Sequence, residues 1–168
     1  LRRMKIESSN GARLSLQPVA YQFGTSDSKV GSKDWDANWL IIRGELRGSD
    51  GREWSFSDPC LTTWEAASLA AWLHGVVDGV VVPVAAEDLS DTALEIFTEP
   101  NIALSLAARN GEQVRVRFHL SLEAIPPWFG DDDRPDLFEY FVPLDTSIDE
   151  LARAADDWER ELAPFPER

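Results

Sequence analysis

The stretch Asn110-Gly111-Glu112-Gln113-Val114-Arg115-Val116-Arg117-Phe118-His119-Leu120-Ser121-Leu122 holds the longest alternation in the chain. Val114, Val116, Phe118, Leu120 and Leu122 fall in one frame, and Arg115, Arg117, His119 and Ser121 in the other. That two-residue period belongs to a strand with one face on a core. Asn110-Gly111 ahead of it favours a type I′ hairpin. The preceding run Ile102, Leu104, Leu106 is then the antiparallel partner, and Glu99-Pro100-Asn101 is the turn before it.

The same grammar extends along the chain. Leu40, Ile42 and Leu46 alternate with Arg43, Glu45 and Arg47, and Gly48-Ser49-Asp50-Gly51 supplies a reversal. Trp54 and Phe56 begin the return. Leu14 and Leu16, then Val19, Tyr21 and Phe23, alternate around Pro18, which predicts an edge strand or one bent at Pro18. Val80–Val84 is a β-branched run, Leu94 and Ile96 mark a further strand, and Leu137–Val142 reads as the last. Residues 24–36 are polar, without a period, and read as a surface loop.

Two capping boxes interrupt the strands. Thr62-Thr63-Trp64-Glu65 opens a helix whose apolar face is Ala66, Leu69, Ala70, Leu73 and Val77. Ser147-Ile148-Asp149-Glu150 opens another, with Ile148, Leu151, Ala152, Ala155, Trp158 and Leu162 on one side. No internal repeat is visible. About eight strands in hairpin order with two inserted helices predict an α+β fold: a mainly antiparallel β-sheet or half-open sandwich with both helices packed on it. Residues 1–11 are expected to be a poorly structured N-terminal extension, and residues 12–168 a single domain.

Charge narrows the function classes. The chain of 168 residues carries 30 Asp+Glu against 16 Lys+Arg, a formal −14. That argues against direct binding of nucleic acid or of an anionic membrane, because phosphate affinity comes from Lys and Arg. No run of 18 apolar residues occurs, and no apolar stretch follows Leu1-Arg2-Arg3-Met4 as a signal peptide would require. The single cysteine, Cys60, excludes an internal disulfide and fits a reducing cytoplasmic compartment.

Candidate chemistry is sparse. Cys60 precedes a helix, where a thiolate is favoured, but His74 stands about 14 residues on, roughly 21 Å along the helix, too far to act as its base. His119 and Glu123 are separated by roughly 13 Å on a strand, which predicts a solvated or ion-paired face rather than an acid–base pair. Asp131-Asp132-Asp133 with Asp136 lacks the alternating ligands, central Gly and closing Glu of a calcium loop. Arg115 and Arg117 are expected beside Arg43 and Arg47 on one sheet face, neutralised across strands by Glu45, Glu95 or Glu123. Trp54 and Trp158 are expected in the core. No phosphate loop, zinc spacing or nucleophile elbow occurs, so no cofactor, metal or catalytic residue is assigned and the chain is read as a non-enzyme.

Several segments in order resemble the WapI family of bacterial immunity proteins. They are Asp36-Ala37-Asn38-Trp39-Leu40; Trp54 through Asp58-Pro59-Cys60-Leu61-Thr62-Thr63-Trp64-Glu65; Phe97-Thr98-Glu99-Pro100-Asn101 with Ile102–Leu106; Arg117-Phe118 through Pro126-Pro127-Trp128; and the closing helix before Pro164-Phe165-Pro166. The likeness runs from about residue 12 to the C-terminus. It implies a cytoplasmic antitoxin that binds and neutralises the C-terminal domain of a contact-delivered toxin, often a tRNA-cleaving nuclease. The alternative is a small-molecule-binding β-protein with a pocket between sheet and helices.

The partner surface is inferred from charge. Residues 131–168 hold 13 Asp+Glu and 4 Arg, a net of −9. A nuclease that grips RNA presents a basic surface, onto which an acidic one can steer. The candidate partner-binding residues are Asp131, Asp132, Asp133 and Asp136 in the acidic loop. Asp149, Asp156, Asp157 and Glu161 are added from the expected exposed face of the last helix.

Overall fold

The computed structural model describes residues 2–24 and 34–168. Most of the loop expected at 24–36 therefore lies outside the described residues. The elements run β1 (Met4–Glu7), β2 (Arg13–Tyr21), β3 (Trp39–Arg47), β4 (Glu53–Thr62), α1 (Thr63–Val77), β5 (Glu95–Ile96), β6 (Ile102–Asn110), β7 (Gln113–Leu120), β8 (Phe141–Ser147) and α2 (Ile148–Leu162). Strands pair in two four-stranded antiparallel sheets, ordered β1-β2-β3-β4 and β5-β6-β7-β8. Each is a meander of sequential hairpins, and each leads directly into a helix. The order of elements thus repeats twice, although no sequence repeat announces it.

The expected α+β class holds, and so does the number of strands, but not their identity. Val80–Val84 forms no strand, and Val80 and Val82 are exposed. The eighth strand is β1, in the segment expected to be a poorly structured extension. Met4 and Ile6 are buried there, and Met4 pairs with Leu16 and Ile6 with Leu14. Four residues with two apolar positions give too short a period to stand out. The edge they cover supplies the order.

Pro18 lies beyond the reach of β1, where a missing N–H costs no ladder bond, and the register with β3 shifts between Pro18 and Ala20. The β3–β4 hairpin closes as expected at Gly48–Gly51, with Gly51 at φ 88°. In the β6–β7 hairpin Asn110 pairs with Gln113, so the two-residue loop is Gly111-Glu112. Only Gly111 has a positive φ (62°). That is the signature of a type II′ turn, and it corrects the type I′ expectation.

A single hydrophobic cluster joins both sheets and both helices. Trp158 of α2 is fully buried, and its indole N–H donates to the Ala66 carbonyl of α1 at 2.8 Å. Trp54 is also buried, as expected. Gly44 of β3 faces this core opposite Phe56. A Cβ there would sit 2.2 Å from the Phe56 ring, so the glycine makes room for the aromatic.

Residues 102–106 of β6 and 116–120 of β7 are buried on both faces. Residues 78–94 cover the outer face without regular structure: the Val84 N–H donates to the Leu106 carbonyl, and Arg117 donates to the Val84 carbonyl. β7 stops at Leu120, and Leu122 adopts φ 55° on the surface. The last strand begins at Phe141 rather than Leu137, because residues 137–140 instead fold over His119. The Phe138 carbonyl accepts its ring N–H at 2.7 Å.

Candidate functional site

His119 corrects the expectation of a solvated face. It is 1% exposed. Its Nδ1 must carry the proton donated to the Phe138 carbonyl, so Nε2 accepts from the Ser105 hydroxyl at 2.8 Å. Burial pushes its pKa below the ordinary value, and the Arg117 charge adds to that shift. Ser105, Arg117 and His119 form a satisfied polar layer beneath the 78–94 segment, sealed from solvent. Glu123 is not on this strand but in the single helical turn Leu122–Ala124.

The arginines divide between the sheets. Arg43 and Arg47 belong to β3, Arg115 and Arg117 to β7, so the four share no face. Among the described residues two of the four meet an acid, and only Glu45 is an expected partner, reached along the strand rather than across it. Arg43 meets Glu45 at 3.2 Å on its own strand, and Arg115 meets Asp145 of β8 at 2.6 Å. Cys60 lies in β4, 1% exposed, and burial pushes its thiol far above the ordinary value. It has no nucleophilic character.

The exposed acidic candidates separate into three places. Asp131, Asp132 and Asp133 form an exposed single turn, with Asp136 exposed just beyond. Arg134 ties this loop to the Leu122 carbonyl. Asp149 lies at the other end of the second sheet: the neighbouring Ile148 N–H donates to the Glu112 carbonyl beside the start of β7, whereas the Leu120 N–H donates to the Tyr140 carbonyl at its close. The length of β7 keeps these ends about 23 Å apart. Asp156 is exposed on α2, near His74 of α1.

Asp157 and Glu161 are not exposed, contrary to expectation. Both point at β1. Asp157 takes ion pairs from Arg160 (2.8 Å) and Arg2 (3.7 Å), in a groove that Lys5 and Arg153 also line. Glu161 accepts the Met4 N–H at 3.1 Å, and burial pushes its carboxyl upward. A helix wheel gives these residues to the polar side. The unforeseen strand β1 is what covers them.

The structure builds a different acidic site at the junction of the two sheets. A cleft of about 350 Å³ is lined by Asp36, Asp58, Glu99 and Glu123 together with Phe23 and Trp39. Asp36 comes from the single turn before β3. Asp58 comes from the irregular stretch of β4, where the register slips between Leu40 and Ile42 opposite Pro59 and Cys60. Glu99 comes from the turn before β6, which is held by the Glu65 carboxylate accepting the Thr98 N–H at 2.7 Å. Glu123 is fixed by the Asn101 amide at 2.8 Å.

None of these four carboxylates has an ion-pair partner among the described residues. Partial burial and the charges of Glu123 and Glu99 push the Asp58 carboxyl above its ordinary value. The cleft does not gather three ligand atoms within 4.8 Å of one another among the described residues. That spacing suits several cationic side chains better than one metal ion.

Sequence reasoning had singled out only Glu123 of the four, and for another role. The available signal was that three of the quoted motifs each carry one acidic residue into this cleft: Asp36 before Trp39, Asp58 before Pro59, and Glu99 before Pro100. The Asp131–Asp136 loop adjoins it through Leu122, next to Glu123.

A family model, that of the immunity protein WapI-like family, matches residues 5–166. No curated protein matches the chain.

Proposed function

Because the chain belongs to the WapI-like immunity protein family, we propose that it neutralises a cognate toxin domain by stoichiometric, non-catalytic binding in the cytoplasm. The toxin domain is basic, in keeping with a nuclease that binds RNA. The contact surface is the unpaired acidic cleft of Asp36, Asp58, Glu99 and Glu123, extended by Asp131, Asp132, Asp133 and Asp136. Asp149 and Asp156 stand apart from it, and Asp157 and Glu161 are internal.

The observation that carries this reading is the set of unpaired carboxylates. Several acids elsewhere on the surface meet cations, such as Asp50 with Arg52, Glu53 with Arg13 and Asp145 with Arg115. What sets the cleft apart is that four carboxylates without such partners among the described residues line one place. In the cleft, like charges are held together without compensation, which costs the free protein stability and is relieved when a cationic partner arrives. Exposed Phe23 and half-buried Trp39 add apolar contact beside the charges. Such a surface occupies the toxin's own RNA-binding face and competes with the substrate.

No observation favours the small-molecule reading. The space between the sheets and helices is filled by Trp158, Phe118, Leu69, Leu73 and their neighbours.

The test is protection. The toxin domain encoded immediately upstream is co-expressed with the wild-type chain or with a variant carrying Asp58→Lys and Glu99→Lys. Wild type is expected to rescue growth, and the variant to fold but not to rescue. Equal rescue by the variant means that the cleft is not the contact. Absence of rescue by wild type refutes the antitoxin reading.

A further inference from the structure

We propose that His74, Asp156 and Glu159 form a binding site for a divalent first-row transition-metal ion of the zinc class, bridging α1 and α2. This inference is independent of the toxin-binding reading. One ligand atom from each side chain lies within 4.8 Å of the other two. His74 comes from the last turn of α1. Asp156 and Glu159 are three apart on α2 and therefore share a helix face. An imidazole with two carboxylates is a donor set of the zinc kind, and a water completes four-fold coordination.

The helices hold these groups in place. Trp158, next to Glu159, anchors α2 to the Ala66 carbonyl of α1, which fixes the alignment of the pair. His74 Nε2 already lies 2.5 Å from Glu159 Oε1, a hydrogen bond that a metal ion would replace with a modest opening of the pair. Tetrahedral bonds of about 2.0–2.1 Å set neighbouring donors roughly 3.3 Å apart, within reach of side-chain rotation.

Outside the cluster the donors have no commitment among the described residues. Glu159 pairs with His74 alone, and Asp156 has no hydrogen-bond or ion-pair partner among the described residues. With a neutral imidazole the three groups carry two negative charges, which a dication balances. The site opens onto a groove of about 580 Å³ between the helices, lined by Ala67, Ala70, Ala71 and Leu162. That apolar border strengthens the local field at the ion. All three side chains are at least partly exposed, so an ion has access.

The experiment uses the full chain after treatment with a chelator. Zn²⁺ is titrated by calorimetry, and Co²⁺ by its visible absorption, which reports coordination geometry. One equivalent is expected to bind, with a rise in Tm and a tetrahedral Co²⁺ spectrum. His74→Gln and Glu159→Gln should each weaken binding by more than about 10-fold, the smaller loss typical when only a supporting group is removed. Asp91→Asn, an exposed acid outside the three-residue cluster, controls for bulk charge and should bind as wild type does. Absence of saturable binding overturns the proposal. So does undiminished binding by both His74→Gln and Glu159→Gln, which would reveal only diffuse attraction to an acidic surface.

Discussion

Glu65 satisfies two segments at once. One carboxylate oxygen accepts the Thr62 N–H at the start of α1, completing the capping box, and the other accepts the Thr98 N–H. The second bond holds the turn that carries Glu99 and Asn101 into the acidic cleft. Glu65→Ala orphans both donors in a largely buried place and is expected to cost about 2–4 kcal/mol by chemical denaturation. A loss below about 0.5 kcal/mol, the range of an ordinary surface change, would contradict this role. His119 sets a pH dependence. Its folded pKa lies below the unfolded value of about 6.5, so above that pH neither state takes up a proton. As pH falls below about 6.5, the unfolded chain protonates first and stability declines until the folded-state value is passed. The difference in unfolding free energy between wild type and His119→Gln should shrink over that window. A difference that stays constant from pH 7.5 to 5 would show that His119 is not buried neutral.

Most of the elements were legible locally. The Thr62 cap, the Gly48–Gly51 reversal and the core frame of β7 follow from period and turn chemistry within a few residues. The Ser147 cap was legible in half: its hydroxyl accepts the Glu150 N–H, but the Glu150 carboxylate turns to the Thr146 hydroxyl instead of closing the box. What stayed hidden depends on distant segments. Arg117 and His119 lie in the polar frame of β7 yet are buried, because residues 78–94 and 137–140 cover them, and neither segment has a period that betrays where it docks. Asp157 and Glu161 lie on the polar side of α2 yet are buried under β1. The cleft escaped notice for the same reason: its four carboxylates are up to 87 residues apart in sequence. β1 is therefore the element most worth testing. Ile6→Ala should destabilise by about 2–5 kcal/mol, as a buried apolar truncation does. Removal of residues 1–7 should cost more, since it also strips the Met4 N–H from Glu161. Unchanged thermal melting of the shortened chain would show that β1 is dispensable.

At the scale of the whole molecule, a net charge of −14 is first a solubility and repulsion term. Its distribution gives it a further meaning. Along the strands several acids are paired with arginines, Glu53 with Arg13, Glu45 with Arg43 and Asp145 with Arg115, whereas among the described residues the four at the junction of the two sheets are not. Steering by such a surface acts chiefly on the rate of encounter, and salt screens it over about 10 Å at 0.1 M. The most direct measurement is the association rate constant with the cognate toxin domain, followed as ionic strength is raised, for wild type and for Asp58→Asn, Glu99→Gln, Glu123→Gln combined. The rate for wild type is expected to fall by about tenfold or more from low to high salt, and the triple variant to associate slowly with a flattened salt dependence. A wild-type rate indifferent to salt, or a triple variant with the wild-type rate and slope, would contradict the acidic cleft as the surface that meets the toxin.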